Sequence, residues 1–432
     1  LALQRANALF RDKKFIEAAA GYYKFYKTAP NGEKGEQNKD LPVSLYNTAL
    51  SYLYADHPKT AIALFKEFTS NTTKPFKESP YYLDAVRLTA KSYQSAFDYD
   101  NAIKTYLDLY ALTKQAKRLG IKPPDPIQGE KAQTLEEIGL NALFNAAFAA
   151  ELNRNFKQAV ELYTQYQGVE KDRRKLDRAQ WSIAGIYRQS GDVLAMVDAL
   201  DRWRTRYGRD AGNEDDFVQS YYDTAALWKR KGRTPQAKAA GQDAINAWKA
   251  HGAIKKSKGA KLAAEWAMSF AEEHYDNVWS KFEIKTAAAG GTVAAVKKQL
   301  EAQNASIEKQ RKAVEDLYIS LDQFGVLESS MAAKVRFGDI QYDRAQKIAN
   351  IPLPTLIANN PDAAGQFEAK RDEDLKRDLN EAKRDWQEVA DAAKQGGVSN
   401  KWSDHAMENL AREFPDEFHT LRAPILQGTD AP

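Results

Sequence analysis

Five histidines are the first residues here that could do chemistry, and their spacing argues against it. His57, His251, His274, His405 and His419 are scattered, none within four residues of another, so no two share a helix face as a metal site would require. No catalytic histidine can be nominated. The chain has no cysteine, which removes disulfides, thiolate metal sites and cysteine nucleophiles together. Asp215 and Asp216 lie in a polar stretch that reads as a solvated loop. Neither G-x-x-x-x-G-K-[ST] nor G-x-G-x-x-G occurs. Gly290 and Gly291 ahead of Thr292 could offer amides to an anion, but a glycine pair before a helix cap is more often plain loop geometry. The expectation is a non-enzyme with no cofactor, no metal and no small-molecule substrate.

Three basic runs raise polyanion binding: 171–175 (KDRRK), 229–233 (KRKGR) and 255–261 (KKSKGAK). They fall between helices, where they would line one edge and collect into a patch. The flanking aromatics have another use, so nothing supplies a stacking platform for bases.

The elements that would position any site come from a chain of 432 residues, 43% hydrophobic and 28% charged, enough to bury a large core. No run of 18 apolar residues occurs, so no membrane span is expected. Residue 1 is leucine and reads at once as helix, so any signal peptide or lipid anchor would lie upstream. Charge is uneven: residues 291–432 hold 19 Lys+Arg against 24 Asp+Glu, a net −5, and the remainder is +9.

One pattern recurs. Ala18, Ala61, Ala102, Ala159, Met196 and Ala237 each follow a short polar break. Ten to twelve residues upstream stand the pairs Ala6 with Leu9, Ala49 with Tyr52, Ala90 with Tyr93, Ala147 with Ala150, Ala184 with Tyr187, and Ala225 with Trp228. Two antiparallel helices approach to ~8–10 Å only where the crossing carries small side chains, so each set predicts a helical hairpin. Pro42, Pro58, Pro80 and Pro235 fall at expected helix starts, where proline costs little.

These positions resemble the tetratricopeptide repeat. Ala49, Tyr52, Ala61 and Phe65 fit its pattern, as do Ala90, Tyr93, Ala102 and Tyr106, with Pro30 as a terminal proline. Spacing departs from it: successive markers differ by 43, 41, 57, 37 and 41 residues against about 34 for the standard unit. The resemblance implies an all-α, right-handed superhelical solenoid over 1–285, of six to seven hairpins, the seventh degenerate with Ala267 and Phe270 in one helix and 275–282 in the next.

Residues 286–432 read as a helical region that caps the last apolar face. Thr292 caps a helix carrying Val296, Leu300, Ile307, Val314 and Leu321, and a second helix runs from 327 to 348. Pro352 and Pro354 force an extended segment. A long helix over 365–397 follows, its stripe Phe367, Leu375, Leu379, Trp386 and Val389, its alternating charges read as a solvated face, and Gly396 and Gly397 its stop. This order of pieces, ending in Gly397, Asn400, Trp402, Ala406, Leu410, Pro415 and Phe418, resembles the C-terminal ends of envelope-associated tetratricopeptide proteins of myxobacteria and related predatory bacteria, some of them in gliding-motility machinery. It implies a place in the bacterial cell envelope, with the periplasm as the expected compartment and membrane contact only indirect.

Repeat domains of this class that grip a partner's C-terminal carboxylate use asparagines at places that Asn7 and Asn47 occupy here. The usual lysine place holds Leu3, and Arg87 and Lys91 are offset from the usual basic places. Asn7, Asn47, Arg87 and Lys91 are therefore the candidate partner-binding residues. The expected function is a scaffold holding protein or peptide partners in its groove; the alternative is an adaptor for nucleic acid or another polyanion.

Overall fold

The computed structural model describes residues 2–29, 38–124, 132–283 and 292–418, so Pro30, Gly290, Gly291 and His419 lie outside the described residues. Among the described residues the structure is helical, without strands. Two compact units divide the chain, 1–207 and 208–432, so the 285/286 division read from sequence falls inside the second.

The first unit is five hairpins: α1 (Ala2–Arg11) with α2 (Phe15–Thr28), α3 (Leu41–Tyr54) with α4 (Pro58–Ser70), α6 (Tyr82–Ser95) with α7 (Tyr99–Gln115), α8 (Leu135–Leu152) with α9 (Phe156–Gln167), and α10 (Arg173–Ser190) with α11 (Val193–Arg206). A one-turn helix, α5 (Lys74–Lys77), which the repeat did not anticipate, precedes α6. Within this unit, from α1 to α11, successive long helices pack on one another, which is solenoid architecture.

All twelve marker residues of the six hairpins are buried, none more than 3% exposed. The turns inside the hairpins share one geometry. Five residues before each second-helix marker stands a residue of positive φ: Lys13, Asp56, Phe97, Arg154, Gly191 and Gly232. The next residue's N–H donates back across the turn to the carbonyls of Leu9, Tyr52, Tyr93, Ala150, Tyr187 and Trp228, at 2.9–3.1 Å. Those carbonyls belong to the residues paired with the small markers, and the bond satisfies helix-end acceptors as in a Schellman motif. Side chains of Asp98, Asn155 and Asp192 then cap the second helix.

The second unit opens with the sixth hairpin, α12 (Glu214–Arg230) and α13 (Thr234–Ala250), followed by α14 (Lys258–His274). Gly241 lets α13 and α14 cross, since a Cβ there would lie 2.3 Å from the Trp266 ring. Asp215 is not in a loop: it sits in the first turn of α12 and accepts from the Gly259 N–H at 2.7 Å, tying α14 to α12. Nor does the seventh hairpin close. After His274 the chain runs on into a π-helical turn, Tyr275–Trp279, and no return helix forms through residue 283.

The C-terminal helices supply that missing cover: α15 (Val293–Ile319), a 3-10 turn (Ser320–Phe324), α16 (Leu327–Ala349), the short α17 (Thr355–Ala358), α18 (Pro361–Gly396) and α19 (Lys401–Glu413). Phe324 packs 4.5 Å from Trp248 of α13, and Tyr318 donates to Glu272 of α14 at 2.6 Å. Met331, Val335, Trp386, Val389, Trp402 and Leu410 form a core from α16, α18 and α19, with Met268 of α14 against it.

The charge run on α18 corrects its solvated reading. Asp374, Asp378 and Asp385 are buried, while Leu375 and Leu379 are only half-buried. The reason is α16, which presents cations to that face: Arg344 pairs with Asp378, and Lys334 lies 3.3 Å from Asp385. The terminal motif is structural too. Gly397 ends α18 at φ 60, Asn400 caps α19 through the Trp402 and Ser403 amides at 2.9 and 3.1 Å, and Trp402, Ala406 and Leu410 are core.

Candidate partner-binding cleft

The first helices of neighbouring hairpins bring Asn7 and Asn47 to one place. An open cleft of about 410 Å³ is lined by Asn7, Phe10 and Arg11 of α1, Tyr22 of α2 and Asn47 of α3. Ala6, Ala18 and Ala49 allow this approach because their methyl groups leave room where the helices cross. The Tyr22 hydroxyl donates to Asn7 Oδ1 at 2.6 Å, so Asn7 has its amide N–H groups left to offer a ligand. Burial pushes the Tyr22 hydroxyl up from its ordinary acidity, with Arg11 opposing the shift, which keeps it a neutral donor. Arg11, one turn beyond Asn7, is the cation of the cleft.

Arg87 and Lys91 do not line it. Arg87 Nε donates to Asp84 Oδ1 at 2.6 Å, and the same carboxylate accepts from Tyr46, whose hydroxyl is pushed up by burial and by Asp84. Arg87 is thereby spent holding Asp84 against Tyr46, and Tyr46 stacks on Tyr81 with ring centroids 4.7 Å apart. Lys91 is exposed and ion-paired to no described residue. Arg11 could have been found in the sequence, since a cation four residues after Asn7 shares its helix face.

The two basic runs of the second unit do not share an edge. In the second unit, 229–233 spans the α12–α13 turn and 255–261 the connection from α13 to α14, at opposite ends of a 17-residue helix about 25 Å long. Lys256 is also strapped down, its N–H donating to the Phe324 carbonyl at 3.0 Å. In the first unit, Arg173 bonds the Arg206 carbonyl and lies 5.2 Å from the Tyr207 ring, and Lys175 lies 3.6 Å from Glu170.

His405 serves a buried carboxylate. Asp339 accepts from Arg336 at 2.8 Å, Asn409 at 2.9 Å and Trp386 at 3.0 Å, with His405 Nε2 at 3.1 Å. Among the described residues no group of three or more His, Asp or Glu is arranged to hold a metal ion, and no helix is long and apolar enough to cross a membrane.

No protein-family model matches the chain, and no curated protein matches it. Among solved structures, the C-terminal part of a TPR repeat-containing protein from Cytophaga hutchinsonii aligns with 64% of this chain and 89% of its own at 12% identity, with a TM-score of 0.39. BtubC (BKLC) from P. vanneervenii aligns with 60% and 95% at 15% identity and 0.34, and the P58(IPK) TPR domain with 96% and 98% at 11% identity and 0.23. The tetratricopeptide-like fold of this chain rests on the hairpin geometry described above.

Proposed function

We propose that this chain is a non-catalytic scaffold that holds partner proteins by an extended peptide segment in the cleft of its first hairpins. The observation that carries this reading is the convergence of Asn7 and Asn47 with Arg11 on one open cleft. Two amides and a guanidinium are donors suited to a terminal carboxylate or to peptide carbonyls, while Phe10 gives an apolar side chain a surface. Arg11 takes the role that Leu3 leaves vacant; Arg87, held by Asp84, contributes by positioning Tyr46.

We place this scaffold in a bacterial envelope assembly of the motility or secretion kind, in the periplasm. That placement is supported by the sequence resemblance of the terminal segment from Gly397 to Phe418. Contact with the membrane would be indirect, through partners or an anchor upstream of Leu1. The polyanion reading is weakened by the separation of the basic runs along α13.

Affinity capture with the intact chain from lysate of the source cells, with and without 0.3 M added salt, tests the placement. A small set of envelope proteins that survives the salt is the expected result. Nucleic acid and ribosomal proteins that wash away would overturn it, because phosphate contacts weaken steeply with salt.

A further inference from the structure

We propose that the second unit carries a separate binding site, a pocket that takes a medium-chain carboxylate with its apolar tail inward. The pocket, about 230 Å³, lies between α15, the C-terminal end of α16, α17 and the first turns of α18. Pro352 and Pro354 create it by holding 351–354 out of helix, which returns Ile351 and Ile357 beside Ile348. Leu300 and Phe367 complete an apolar lining, and Ile357 is 1% exposed. At ~30 Å³ for each water-sized group, the space holds about eight such groups, less than a drug-sized ligand fills.

The rim gives the occupant its sign. Lys297, Lys370 and Arg371 stand there against Glu301 and Asp374. Lys370 is engaged by Glu373 at 3.0 Å and Asp374 at 3.4 Å, and Asp374 also by Arg377 at 2.9 Å. Lys297 and Arg371 are ion-paired to no described residue: Lys297 donates only to Gln366 Oε1 at 3.2 Å, and Arg371 rests 5.8 Å from the Phe367 ring. Two cations outside any ion pair, against the one rim carboxylate of Glu301 that is likewise unpaired among the described residues, leave the mouth net positive over an apolar interior, which fits a molecule that is apolar along its body and anionic at one end. A nucleotide or sugar would leave polar groups unpaired against the isoleucines.

The test is calorimetric titration of the full chain with octanoate, octanol and octylamine, and of the K297Q/R371Q variant, which changes an exposed lysine and a half-buried rim arginine, neither in the core, and whose folding is checked by its thermal transition. The expected result is saturable one-to-one binding, octanoate at least tenfold tighter than octanol, with that preference lost in the variant. Affinity should rise about three- to fourfold per methylene from butanoate and level off once the pocket is full. Equal affinity for octanoate and octanol, tighter octylamine, or no saturable binding by any of the three would overturn the proposal. The full chain also carries the cleft of Asn7, Asn47 and Arg11, which K297Q/R371Q leaves untouched, so loss of the octanoate preference in that variant assigns the binding to this pocket, and a preference retained there would place it elsewhere and overturn the proposal.

Discussion

Phe97 occupies in the third hairpin the left-handed turn position that Gly191 occupies in the fifth, each five residues before its marker, at φ 59 and φ 75. A side chain at such an angle costs ~1–2 kcal/mol, and the Phe97 ring is 79% exposed, so burial returns little of that cost. Phe97→Gly should therefore stabilise the chain by up to about 1 kcal/mol after glycine's greater chain entropy is counted. Gly191→Val should destabilise by a similar amount. Urea denaturation of both variants checks the pair, and Phe97→Gly coming out less stable would contradict it.

Arg344 and Asp378 form a pair with side chains 10% and 1% exposed, and Arg344 Nε lies 2.7 Å from Glu308. Removing Arg344 leaves the buried Asp378 carboxylate with only the half-exposed Arg377, at 3.1 Å, as its counter-charge. Arg344→Met should cost about 3–5 kcal/mol, whereas the double variant with Asp378→Leu should recover most of it. A double variant as unstable as the single would mean that the pair is not what holds these helices.

Gly338 on α16 faces Trp386 on α18, and a Cβ there would sit 2.5 Å from the indole nitrogen. Gly338→Ala should cost about 1–3 kcal/mol through overpacking. Chemical denaturation reads the loss, and a neutral result would show the helices free to separate.

Asp343 accepts from Tyr275 at 2.7 Å and Trp279 at 3.2 Å, and burial raises its pKa above the ordinary carboxylate value. A raised acid favours folding below its unfolded pKa and loses that contribution as pH rises through the folded value. Asn can accept both bonds without a charge. Asp343→Asn should match the parent near pH 3 and become the more stable of the two at neutral pH. Stability measured across that range with a constant difference, or one of opposite sign, would contradict the assignment.

Most of the fold was legible because the repeat writes itself in small residues, which sequence shows directly: Ala49 and Ala61 mark a crossing wherever they occur. The buried acids of α18 were not legible. Alternation at three and four residues looks the same whether the opposing charge is water or a cation on another helix, and Arg344 comes from 34 positions away. The basic runs misled for a topological reason, since turns within and between hairpins fall at opposite ends of the helices. Of the cleft, the two asparagines were legible from their repeat places. Tyr22 was not, because its bond to Asn7 depends on how α1 and α2 pack.

The most direct test of the scaffold account starts with binders selected by the intact chain from a library of ten-residue peptides with free C-termini. The best binder is titrated against the parent, Asn7→Ala/Asn47→Ala and Arg11→Gln, and its amidated form against the parent. The account predicts at least a tenfold loss, about 1.4 kcal/mol, for the double variant and for Arg11→Gln, with the amidated peptide weakened comparably where the carboxylate is the gripped group. Unchanged affinity for both variants would contradict the claim that this cleft holds the partner.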